Sequence, residues 1–254
     1  MNYIDKINQL DLAFVVDTTG SMSGLIAAAQ TQMITMIAEL AHLAAIDMCL
    51  GVVEYRDHPP QDQLIVRVHP LTSDLWQAQA SIRGLSAEGG GDGPEAVLDG
   101  VLAACRDLAW RRHARRIAIL VGDAPPHGVG ARGDGFPQGC PCGETIDSVT
   151  AAAERDRVTL YALGLTADVA DSFERLSRAT GGAFFPASQG DMAIAQIKTI
   201  LAGEFDDLEF DRRVLAAQLA ARGHSIADLA EQLAAPRLAV AAAISRLERR
   251  ELLS

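Results

Sequence analysis

Leu12-Ala13-Phe14-Val15-Val16 runs directly into Asp17-Thr18-Thr19-Gly20-Ser21-Met22-Ser23, and the rest of the chain is read outward from this stretch. The apolar run is too short for a helix and is rich in strand formers. Its consecutive apolar positions imply burial on both faces, the habit of a parallel sheet covered by helices. Residues 48–53, 117–121 and 158–163 read the same way. Between them lie helical patterns. Leu25, Ile26, Ala29, Met33, Met36, Ile37 and Leu40 recur at spacings of three and four, as do Val97, Leu98, Val101, Leu102, Cys105 and Leu108 behind Pro94. Further helices are expected over 144–155, 169–179 and 192–201. Residues 64–68 read as an extra strand, joined to the 48–53 strand by a Pro59-Pro60 loop too short for a crossover, hence antiparallel at an edge. Strands alternating with helices predict a doubly wound α/β fold, mostly parallel, with one antiparallel edge strand.

The 254 residues suffice for one large unit and a small one. With 49% apolar residues the chain can build a substantial core, which excludes global disorder. The net charge of −11 argues against a whole-protein nucleic-acid binder. No stretch approaches the ~18 apolar residues of a membrane span, and residues 1–10 do not read as a leader. Four cysteines at this length are no disulfide framework, so the expected location is cytoplasmic.

Composition divides the chain into a large unit, residues 1–203, an acidic linker, 204–210, and a helical module, 211–254. The last holds seven Arg against five acidic groups, a local balance of +2. Ser225 is a natural N-cap for the run Ile226 to Leu233, and Pro236 opens a second helical run, so the tail resembles a helix-turn-helix. Arg237, Arg246, Arg249 and Arg250 are candidate DNA contacts. Ala239, Ala241, Ala242 and Ala243 offer nothing to base edges, which favours a docking or dimerisation role instead.

In doubly wound sheets the working site lies beyond the carboxyl ends of the strands. Here those ends lead into Asp17, Glu54 and Gly122-Asp123. Asp17, Thr19 and Ser21 alternate, so one carboxylate and two hydroxyls can turn to a common point, with Gly20 allowing the tight path. An all-oxygen trio suits a hard divalent ion: Mg²⁺, or else Mn²⁺ or Ca²⁺. Asp92, in Gly89-Gly90-Gly91-Asp92-Gly93-Pro94-Glu95, and Asp123 are the candidate remaining ligands. Each residue taken singly could instead be an ordinary cap or turn residue.

At these residues the sequence resembles the von Willebrand factor A domain. That family's metal-ion-dependent adhesion site combines an Asp-x-Ser/Thr-x-Ser loop, a Thr or Asp from a later loop, and an Asp at the end of the fourth strand. Asp17, Thr19 and Ser21 fill the first motif, Asp92 the middle position and Asp123 the last. Tyr55-Arg56-Asp57-His58-Pro59-Pro60-Gln61-Asp62 is similar to the subgroup found beside alpha-type kinases. The resemblance spans roughly residues 10–203. It implies a Rossmann-like fold and a bound Mg²⁺ whose open position takes a carboxylate from a protein partner. Many members have Thr where this chain has Asp92; a second carboxylate holds the ion more firmly and leaves it less attractive to a partner's acid.

Two other functional classes bear on the same residues. A phosphohydrolase with Asp17 as nucleophile needs a second carboxylate two residues on, where this chain has Thr19. No nucleophile elbow or phosphate-binding loop with its Lys is present. The expectation is therefore no enzyme. A transcriptional regulator binding DNA through the tail is the alternative to a metal-dependent interaction protein.

Tyr55, Arg56, Asp57, His58 and His127 are read as a candidate partner-binding rim, with Glu54 as a further acid near the metal. Cys140-Pro141-Cys142 offers either a redox pair or half of a zinc site, the latter to be completed only if His127 or His113 folds back. Cys49 and Cys105 read as core residues.

Overall fold

The computed structural model describes residues 6–41, 46–91, 93–220 and 224–253. Six strands form one sheet: β1 (Gln9–Asp17), β2 (Asp47–Tyr55), β3 (Val66–Thr72), β4 (Arg115–Gly122), β5 (Val158–Gly164) and β6 (Phe184–Pro186). Their order is β3-β2-β1-β4-β5-β6. Every neighbouring pair is parallel except β2 and β3, the predicted antiparallel edge.

The helices are α1 (Ser23–Ala41), α2 (Leu75–Arg83), α3 (Val97–Arg106), α4 (Ile146–Arg155), α5 (Ala170–Ala179), α6 (Gly190–Ala220), α7 (Ile226–Gln232) and α8 (Arg237–Arg249). Alternation along β1 sorts the two faces. Leu10, Leu12, Phe14 and Val16 join a core with Met33 of α1, Ile82 of α2 and Ile197 of α6. Ala13 and Val15 face the other way, into a core with Val101 of α3, Val149 of α4 and Phe173 of α5. Covering both faces is what makes the consecutive apolar runs necessary.

The structure departs from the sequence reading at several places. The edge strand starts at Val66 because the Asp62 carboxylate ties the amides of Gln63 and Leu64 into a turn, at 2.6 and 2.9 Å. It then continues through Pro70, tolerated on an edge where no partner needs its missing N–H. Helix α2 was not anticipated, nor was the three-residue β6. Ile37 and Leu40, assigned to the apolar stripe of α1, have side chains outside the described residues.

The acidic stretch 204–210, read as a linker, lies inside the 31-residue α6. Asp206 and Glu209 face solvent, while Glu204 and the half-buried Asp207 meet cationic partners. Glu204 is buried and takes two hydrogen bonds from Arg115, at 2.7 and 2.9 Å, and a third from the Tyr161 hydroxyl at 2.5 Å. One helix face is thereby bound to β4, and no break is required.

The end of α6 packs with α7 and α8 around a third core of Val214, Leu215, Leu229, Val240, Ala243 and Leu247, closed by Ile7. Ser225 caps α7 in a reciprocal arrangement with Asp228. Two of the candidate DNA contacts are consumed by this packing. Arg246 holds the buried Asp211 carboxylate at 2.6 Å, and buried Arg250 donates to the carbonyls of Ile7 (2.7 Å) and His113 (3.0 Å). Their charges serve internal acids and carbonyls and are not presented to a phosphate backbone. Arg237 and Arg249 are exposed. Among the described residues, no helix is long and apolar enough to cross a membrane.

Candidate metal centre

The register of the sheet aligns Asp17 with Tyr55 and Val16 with Val121, so β1, β2 and β4 end together and deliver Asp17, Tyr55 and Gly122 to one edge. Beyond Asp17 the chain makes a single turn of 3₁₀ helix, Gly20–Met22, and enters α1. Asp17 is wholly buried. Its Oδ1 accepts from the Thr19 amide at 2.8 Å and the Thr19 hydroxyl at 2.7 Å, and Thr19 Oγ1 lies 3.2 Å from Ser21 Oγ. The carboxylate and two hydroxyls of the first motif are therefore already gathered. Asp17 Oδ2 is buried without a hydrogen-bond partner.

That orphaned oxygen is costly unless a cation answers it. Burial pushes the Asp17 carboxyl up to about 7; the Thr19 hydrogen bonds oppose the rise, while the charges of Asp123 and Asp57 add to it. The charged neighbours acting most strongly on Asp17 are thus acids. Asp123 sits at the end of β4, where the Thr166 hydroxyl donates to its carbonyl at 2.6 Å, and it lines the same surface cleft as Ser21. The structure brings Asp17, Thr19, Ser21 and Asp123 together. Asp92 lies outside the described residues.

The segment 86–91 lies along the far side of the loop. Gly20 N donates to Gly89 O at 3.2 Å and Glu88 N to Thr18 O at 3.0 Å. Gly90, at φ +78°, approaches so closely that a Cβ there would lie 3.1 Å from the Thr19 Cβ and 3.0 Å from Glu95 Oε1. Buried Glu95 is thus a fourth acid at this edge, one that sequence reasoning did not single out. Its only signal was its place in the Gly-Asp-Gly-Pro-Glu run.

The floor is Tyr55, fully buried, with a hydroxyl lacking a hydrogen-bond partner. Burial raises its phenol well above the usual value, and Asp17, Asp123 and Glu95 raise it further. Gly122 is required by this contact: a Cβ there would strike the Tyr55 hydroxyl.

The candidate rim is not a rim. Tyr55, Arg56, Asp57, His58 and His127 are all buried. Apart from the Tyr55 hydroxyl and Asp57 Oδ2, which have no hydrogen-bond partner, their polar atoms are tied into the loops that they brace from beneath. Arg56 Nε donates to Thr18 Oγ1 at 3.2 Å and its Nη2 to Ser86 O at 3.0 Å, joining the two loops beside Asp17. Asp57 Oδ1 pairs with His127 Nε2 at 2.7 Å, and His127 Nδ1 with Asp134 at 2.9 Å. Glu54 turns away to the edge strand, where His69 holds it at 2.7 Å.

Neither histidine proposed as a complement to the Cys-Pro-Cys motif reaches it. His127 is engaged as above, and His113 Nδ1 lies 3.0 Å from Arg250 O. Cys140 meets His58 and Asp99 instead, with Cys142 Sγ 2.8 Å from Cys140 Sγ. Cys105 is in the core as expected, while Cys49 is half-buried.

Comparison with known proteins agrees with the fold. Residues 11–115 match the model of the von Willebrand factor A domain family. The alpha-protein kinase vwkA of Dictyostelium discoideum is 30% identical over 146 residues, covering 55% of this chain and 23% of that protein. The chain spans about a quarter or less of the length of the curated relatives it matches. Among solved structures, a von Willebrand factor type A protein from Catenulispora acidiphila aligns with a TM-score of 0.55 and 16% identity, over 76% of this chain and 42% of that one. Proximal thread matrix protein 1 from the mussel byssus, with a zinc-occupied adhesion-site motif, aligns at 0.54 and 14%, over 74% and 43%. The chain has the von Willebrand factor A-type fold.

Proposed function

We propose that this chain binds a protein partner through a divalent cation, Mg²⁺ or else Mn²⁺ or Ca²⁺, and that it is not an enzyme. Asp17, Thr19, Ser21 and Asp123 would hold the ion directly or through water, with Asp92 as the sequence-derived fifth member. The observation that carries this reading is Asp17 Oδ2, buried and unpartnered amid other acids and hydroxyls. Those donors are all oxygen, which suits a hard cation. Held there, the ion supplies charge and an open coordination position to which a carboxylate of the partner can bind.

The chain's own residues pre-shape the site. Thr19 directs two donors onto Asp17 Oδ1, which fixes the carboxylate and leaves Oδ2 for the ion. Arg56 locks the first loop to the 86–91 segment, so the donors are held before the ion arrives. Thr19 cannot act as a general acid near neutral pH, which supports binding over phosphate-ester hydrolysis. Partner identity rests on electrostatics: an acidic protein attracts an acid only across a cation.

The test is capture from a native lysate by the immobilised chain. Capture should require Mg²⁺, vanish in EDTA, return with added Mg²⁺, and be lost in Ser21→Ala. Capture that persists in Ser21→Ala and Asp17→Asn at wild-type level contradicts the proposal.

A further inference from the structure

A second set of ligand-type side chains lies apart from Asp17 and has a different chemistry. His58 follows β2, Asp99 stands in the first turn of α3, and Cys140-Pro141-Cys142-Gly143 closes the long loop after β4. His58 Nε2 lies 3.1 Å from Asp99 Oδ2 and 3.2 Å from Cys140 Sγ. Cys140 Sγ lies 3.0 Å from Asp99 Oδ2, and Cys142 Sγ lies 2.8 Å from Cys140 Sγ. All four cysteines of the chain are free thiols.

We propose that His58, Asp99, Cys140 and Cys142 form a tetrahedral zinc site, separate from the all-oxygen centre at Asp17 and independent of its proposed role. Two sulfurs, one imidazole and one carboxylate are a donor set that zinc favours and Mg²⁺ does not. Zinc bonds of about 2.0–2.3 Å set tetrahedral ligand atoms roughly 3.3–3.8 Å apart. His58 Nε2, Asp99 Oδ2 and Cys140 Sγ, 3.0–3.2 Å apart, need to spread by less than about 1 Å to reach that geometry, and Cys142 Sγ swings in from beside Cys140 Sγ as the fourth ligand. The two sulfurs move furthest, on a loop whose Gly139 and Gly143 sit at φ +125° and +77°.

The surroundings fit a cation as well. Cys140 and His58 are buried, yet the group holds two acids-in-waiting and a carboxylate. The Glu144 amide donates to Cys142 Sγ at 3.4 Å, and Gly143 N donates to Cys140 O at 2.9 Å, which folds the turn around the sulfurs. A surface cleft lined by Leu98, Gly139, Cys140 and Glu144 gives access. Zinc here would pin the loop after β4 to α3 and to the His58 loop, and so fix one wall beside the Asp57–His127 pair.

The experiment uses the full chain, grown with added zinc and purified under reducing conditions without chelator. Metal analysis should find about one zinc per chain that excess Mg²⁺ does not displace. Cobalt(II) exchanged for zinc should show a thiolate-to-metal charge-transfer band and strong tetrahedral absorption, which six oxygens do not give. In Cys140→Ser/Cys142→Ser both signals should fall about tenfold or more, while Asp17→Asn leaves them intact. Circular dichroism checks that the double variant is folded, and the wild-type cobalt spectrum needs no variant. The proposal is overturned by a wild-type cobalt spectrum without the thiolate band, by zinc undiminished in the double variant, or by a Cys140–Cys142 disulfide found by mass spectrometry in reduced protein.

Discussion

Asp17→Asn should stabilise the metal-free protein while removing its capacity to bind metal. In the fold, the carboxyl is pushed from its ordinary 3.8 up to about 7, chiefly by burial. A carboxyl raised in this way holds its proton more tightly folded than unfolded. Stability of the metal-free chain is therefore greatest below the ordinary Asp range and falls as pH climbs from about 4 to about 7. At 1.36 kcal/mol per unit, the loss at neutral pH is about 4 kcal/mol. Asn keeps the Oδ1 acceptor for the Thr19 amide and hydroxyl and carries no charge. Its buried NH₂ returns about 1–3 kcal/mol of that gain if unmet. The net is about 2 kcal/mol, or roughly 4–8 °C in Tm for a chain of this size. Urea melts in EDTA at about pH 7.5 and about pH 5 provide the assay, the gain shrinking at the lower pH. With saturating Mg²⁺ the order should invert, because only wild type is stabilised by the ion. A variant less stable than wild type in EDTA at the higher pH, or a difference that does not change with pH, refutes the reasoning.

Other parts of the structure give sharper outcomes. Gly122→Ala drives a methyl into the Tyr55 hydroxyl beneath Asp17 and should cost about 1–3 kcal/mol in a urea melt, weakening Mn²⁺ binding with it. Arg246→Ala strands the buried Asp211 carboxylate and should cost about 3–5 kcal/mol, much of which Arg246→Met/Asp211→Leu should restore. Burial lowers the His127 pKa, but its hydrogen bonds to the Asp57 and Asp134 carboxylates prevail and raise it. Its stabilising contribution is therefore complete below about 6.5 and lost as pH rises through the raised folded value, a slope that His127→Gln should flatten in melts across that range.

How far the sequence could be read depended on whether a signal was local. β1, β2, β4 and β5 were legible because burial on both faces leaves unbroken apolar runs. The Asp17–Ser21 motif was legible because its donors share one turn. Helix α2 carries only Leu75, Ala78 and Ile82 as apolar contacts with an Asp74 cap, too thin a stripe to stand out. The continuation of α6 through residues 204–210 was hidden because the cations that neutralise Glu204 and Asp211, Arg115 and Arg246, are 89 and 35 residues away in sequence. The same holds for the rim. Polar types suggest exposure, and only the fold shows that Asp57, His127 and Asp134 satisfy one another inside. The meeting of His58, Asp99 and Cys140 depends on three separate loops and helix ends, so half of the second constellation was visible and half was not.

The metal-binding proposal places one hard divalent cation among the oxygen donors at the carboxyl edge of β1 and β4. Its most direct test is an anomalous difference map from crystals grown in Mn²⁺. The prediction is a strong peak at that edge, in contact with Asp17, Ser21 and the Asp123 side, absent in Asp17→Asn. A map with no peak at that edge, or one that survives unchanged in the variant, contradicts it.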